Sequence, residues 1–78
     1  MYYTRAEQLA HELAEALDDR EAEPLYLTFA KQVPEEQLRK MLRKVLSIPE
    51  EKIRRTKGAL FTYLVKQYAE RENRRSGY

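Results

Sequence analysis

Pro34-Glu35-Glu36-Gln37-Leu38-Arg39-Lys40-Met41-Leu42-Arg43-Lys44-Val45-Leu46-Ser47 sorts its side chains onto two faces when wound at helical pitch. Leu38, Met41, Leu42, Val45 and Leu46 form an apolar stripe, and Arg39, Lys40, Arg43 and Lys44 turn to the opposite side. Such a segment is stable only when other helices cover its stripe, so the flanking sequence must supply them.

It does so on both sides. Upstream, Thr4-Arg5-Ala6-Glu7 reads as a capping box that opens a helix running to about Asp19, with Ala6, Leu9, Ala10, Leu13, Ala14 and Leu17 on one face. Pro24 then suits the first turn of a short second helix, and Leu25, Tyr26, Leu27, Phe29 and Ala30 spread so widely around it that it reads as the most buried element. Downstream, Ile48-Pro49-Glu50-Glu51-Lys52-Ile53-Arg54-Arg55 repeats the residue types of Val33-Pro34-Glu35-Glu36-Gln37-Leu38-Arg39-Lys40, which predicts a second proline-led helix start and a short fourth helix. Thr56 caps a fifth helix running to about Glu72, with Leu60, Phe61, Leu64, Val65 and Tyr68 inward. The expectation is an all-α single-domain bundle of four to five short helices over residues 1–72, with residues 73–78 as a flexible tail.

Composition limits what such a bundle does. In 78 residues, 42% apolar and 36% charged, a single core leaves little room to wall off a deep pocket. There is no cysteine and one histidine, His11, on the polar face of the first helix; thiol chemistry is excluded and a transition-metal site disfavoured. Asp18, Asp19, Glu21 and Glu23 read as exposed acids at a helix junction rather than as a Mg²⁺ site. The expectation is therefore no enzyme, no cofactor, no metal and no small-molecule substrate. No apolar run approaches the roughly 20 residues that span a bilayer, and no signal-like h-region precedes the first helix, so the expected setting is cytoplasmic, without a membrane.

Charge is divided unevenly along the chain. Residues 1–37 carry three basic and nine acidic side chains, net −6, while residues 38–78 carry twelve basic and four acidic, net +8. Two readings follow. The second half holds an anionic partner, or the two halves neutralise each other within one molecule or between copies in a homodimer or a larger assembly.

For the first reading, Arg39, Lys40, Arg43 and Lys44, continued by Lys52, Arg54, Arg55 and Lys57, form a surface able to hold nucleic-acid phosphates through charge-assisted hydrogen bonds and counterion release. Thr56, Lys57 and Gly58 open the last helix, where free backbone N–H groups attract anions; the same residues also suit a plain capped turn. Tyr63, beside Lys66 and Gln67, points away from the inward stripe and is placed either to stack on a base or to anchor a protein. A helix-turn-helix formed by the last two helices matches in outline only, because the longer one uses its main face for packing.

Ile48-Pro49 followed by Arg55-Thr56-Lys57-Gly58-Ala59-Leu60-Phe61-Thr62-Tyr63-Leu64-Val65-Lys66 resembles the segment that closes some bacterial, plasmid and phage replication initiators and DnaD-like helicase loaders. That resemblance implies a DNA-associated role, with Arg54, Arg55, Lys57 and Lys66 as DNA contacts and Phe61, Leu64 and Val65 as the packing side.

Overall fold

Thr4 opens the first helix through the reciprocal cap its spacing predicts. Its Oγ1 accepts the Glu7 N–H at 3.1 Å, and the Glu7 carboxylate accepts the Thr4 N–H at 2.8 Å. The computed structural model describes residues 4–76, with side chains through Glu72. Within them lie four α-helices, α1 (Arg5–Ala16), α2 (Glu23–Gln32), α3 (Glu35–Leu46) and α4 (Lys57–Ser76), plus single 3-10 turns at Arg20–Ala22 and Glu50–Lys52. The all-α class stands. α4 continues through Ser76, so the first four residues of the expected tail are helical, and residues 77–78 lie outside the described residues. Among the described residues, no helix is long and apolar enough to cross a membrane.

α1 packs on α2, and α3 on α4. The four helices form a slab of 40 × 38 × 18 Å, about two helices deep. α1 contributes four of the twelve buried apolar residues among those described, Leu9, Ala10, Leu13 and Ala14, followed by Leu17, and the two alanines let α2 come close. α2 is less buried than its composition predicts. Tyr26 and Phe29 face inward, whereas Leu25 remains 39% exposed, because a two-layer slab covers only one side of a ten-residue helix. The same geometry leaves Leu46 of α3 45% exposed, while Leu38 and Val45 are fully enclosed.

The two proline-led starts diverge. Pro34 and Pro49 share nearly the same backbone angles, φ −57° and ψ 139° against φ −58° and ψ 142°. After Pro34, apolar residues recur at Leu38, Met41, Leu42 and Val45, and the helix propagates. After Pro49 only Ile53 is apolar, and Arg54, Arg55, Thr56 and Lys57 offer nothing to bury. The expected fourth helix is therefore one 3-10 turn, followed by extended Ile53 at φ −93°, ψ 115°.

A tight corner joins the two helix pairs. α1 ends in a Schellman motif, in which the Asp19 N–H reaches the Ala14 carbonyl at 2.8 Å and the Asp18 N–H reaches that of Glu15 at 3.1 Å. Asp18 is consequently held at φ 55°, a left-handed conformation. The turn delivers Asp19 to the Tyr26 hydroxyl, which donates to its carboxylate at 3.2 Å. Tyr26 lies edge-on to Phe61 of α4, ring centres 5.6 Å apart, and Phe29 completes the aromatic cluster. Burial, followed by the nearby Asp19 charge, pushes the Tyr26 phenol well above its ordinary value of 10.0.

Gly58 of α4 sits directly against this corner. A Cβ there would overlap Asp19 Oδ2 and stand 2.7 Å from the Tyr26 hydroxyl oxygen, which the buried ring cannot withdraw. Gly58→Ala should lower unfolding stability by about 1–3 kcal/mol in urea titration, whereas Asp18→Gly, which relieves the left-handed Cβ, should leave it unchanged or raise it by up to about 1 kcal/mol.

Candidate nucleic-acid interface

The basic residues of α3 divide according to their angular position. Leu38, Met41, Leu42 and Val45 occupy the middle of the inward face, so Arg39 and Arg43 fall on one flank and Lys40 and Lys44 on the other. The flank of Arg39 adjoins α1. There its guanidinium donates to Glu35 at 2.7 Å and to Glu12 at 2.8 Å, and Arg5 donates to Glu35 at 2.9 Å in a second ion pair. Arg39 is thus a fastener between α1 and α3, 36% exposed, and not a free phosphate contact.

The remaining carboxylates of α1 and the following turn are also partly engaged. His11 lies 3.4 Å from both Glu15 and Glu23, and Arg20 lies 3.8 Å from Glu15. Asp19, read from sequence as an exposed acid, is half-buried against Tyr26.

Lys40, Arg43, Lys44, Lys52, Arg54, Arg55, Lys57 and Lys66 make no ion pair among the described residues. They are distributed over several places. Lys52, Arg54, Arg55 and Thr56 line a cleft of about 510 Å³ together with Ile53, Ala59, Leu60 and Tyr63. Arg55 and Thr56 also border an adjoining cleft with Lys57, Leu17, Asp18 and Glu50, so two acids stand near Lys57. Lys40 and Lys44 line the groove between α3 and α4 together with Gln37, Met41, Leu64, Gln67, Tyr68 and Arg71. Lys66 lies apart from these, in a groove with Phe29, Val33, Val65 and Glu72, and does not join Arg54 and Arg55.

At the start of α4, the Thr56 hydroxyl accepts the Ala59 N–H at 3.0 Å and serves as the helix cap. Gly58 is buried, and the close approach it permits is to Asp19 and Tyr26 of its own chain, not to a bound anion. Tyr63 is 56% exposed, its hydroxyl accepting from Gln67 Nε2 at 2.8 Å. Arg71 and Gln67 escaped the sequence reading of the site. Their spacing from Leu60 and Leu64 at three, four and seven residues is the signal that places all four on one side of the helix.

No family model matches the chain, and no curated protein or solved structure gives a significant match to it.

The Arg5–Glu35–Arg39–Glu12 network carries a pH signature. Hydrogen bonds from Arg5 and then Arg39 hold Glu35 below its ordinary value of 4.5. Its stabilisation is therefore complete above that value and is lost as pH falls through the lower folded one. Glu35→Gln should unfold at lower urea than the parent at pH 7, and the difference should shrink as both are acidified; a difference independent of pH would contradict this assignment.

Proposed function

We propose that the domain is a small non-catalytic module that holds nucleic-acid phosphates on the surface formed by Lys52, Arg54, Arg55 and Lys57, with Lys40 and Lys44 of α3 as its extension. The observation that carries this reading is the absence of ion-pair partners for these cations among the described residues, in a chain whose first-half carboxylates lie close enough to have captured Arg39. Desolvating a guanidinium costs little when phosphate replaces water, and release of condensed counterions drives such binding without selecting a sequence. The lining of the central cleft has neither carboxylate nor imidazole, which favours holding over chemistry. The resemblance of the Ile48–Lys66 stretch to the closing segment of replication initiators and helicase loaders points toward DNA in a replication-associated, cytoplasmic setting.

Pairing of the acidic half of one copy with the basic half of another is the competing reading. It is weakened to the extent that Glu12 and Glu35 are engaged by Arg39 and Arg5 within the same chain.

Fluorescence anisotropy with labelled DNA and RNA oligonucleotides at low salt tests the proposal. Affinity should fall linearly on a log–log plot against salt, and Arg54→Glu with Arg55→Glu should weaken binding and flatten the slope by about 0.7–0.9 for each phosphate that is no longer neutralised. No complex with any oligonucleotide, together with a dimer in sedimentation, would favour self-association instead.

A further inference from the structure

Resting on the phosphate-binding reading, we infer that the ligand of this surface is a single strand, with one base stacked on Tyr63 and the backbone running along α4 from Arg54 and Arg55 toward Lys40, Lys44 and Arg71.

The cleft before and along the start of α4 is lined by cations and apolar side chains together. Lys52, Arg54 and Arg55 line it with Ile53, Ala59, Leu60 and Tyr63. A duplex offers phosphates to the cations but keeps its base faces stacked inside, leaving the apolar side chains without a partner. A single strand offers both, since an unstacked base presents a flat apolar face and its neighbouring phosphate a charge. Tyr63 is suited to receive that face: it is 56% exposed, and the hydrogen bond from Gln67 ties its hydroxyl down.

The path continues beyond the cleft. Gln67, the partner of Tyr63, also lines the α3–α4 groove, whose rim carries Lys40, Lys44 and Arg71. From Ala59 to Arg71 the helix advances about 18 Å, so cations stand at both ends of a track with the tyrosine between them. The Pro49–Arg55 stretch, meanwhile, supplies only one 3-10 turn, so it does not form with α4 the helix-turn-helix that would set α4 into a major groove.

The test compares a labelled single-stranded oligonucleotide with the same sequence as duplex, using the full chain and its Tyr63→Ala, Tyr63→Phe and Arg54→Glu/Arg55→Glu variants. The expected result is tighter binding of the single strand, weakened about five-fold or more by Tyr63→Ala, retained in Tyr63→Phe, with duplex binding indifferent to both. Charge reversal should weaken both ligands. If Tyr63→Ala changes neither ligand or both alike while charge reversal still weakens them, the single-strand inference falls and the phosphate-binding reading stands. If neither ligand binds at low salt, both fall together.

Discussion

The first turn of α4 meets the α1–α2 corner through the missing side chain of Gly58, and the arrangement of the basic surface follows from that close approach. A Schellman turn with Asp18 in a left-handed conformation brings Asp19 to the Tyr26 hydroxyl, and the backbone of Gly58 closes over the pair. Tyr26 in turn meets Phe61 edge-on, so the polar corner and the aromatic core share one residue. From the single 3-10 turn the chain reaches α4 through an extended Ile53 and a bend at Arg54 and Arg55, both of which are exposed.

Charge is then allocated by geometry rather than by sequence distance. The two halves of the chain are oppositely charged, yet only Arg39 among the second-half cations of the described residues is held by α1, through Glu12, with Glu35 shared between it and Arg5. The reason lies in the angular position of each residue on α3: the Arg39 flank faces α1, and the Lys40 flank faces α4. Exposed ion pairs of this kind contribute little individually; the buried Leu38 and Val45 set which face of α3 turns inward and hence which cations remain available.

Much of the fold was legible because helix periodicity and caps are local properties. The Thr4–Glu7 box, the inward faces of α1 and α3, and the Thr56 cap of α4 all follow from spacing alone. The single 3-10 turn after Pro49 was not legible: its start repeats that of α3, and the difference arises only from what can be buried afterwards. Leu25 and Leu46 read as inward residues, but a slab two helices thick exposes the edges of its apolar faces. In the candidate site, the run of cations from Lys52 to Lys57 is local and could be read from sequence, whereas its meeting with Tyr63 depends on how the chain enters α4. The capture of Arg39 and the use of Gly58 as an internal point of packing are tertiary facts, invisible to composition and charge counts.

Backbone amide chemical shifts report, residue by residue, where a nucleic acid touches the protein. Titrating isotope-labelled protein with a short single-stranded oligonucleotide at low salt should move the amides of residues 52–57, Tyr63 and Gln67, together with Lys40, Lys44 and Arg71. The outer face of α1 should stay silent. Shifts confined to α1 and α2, or none anywhere, would contradict the placement of the ligand on the α3–α4 surface.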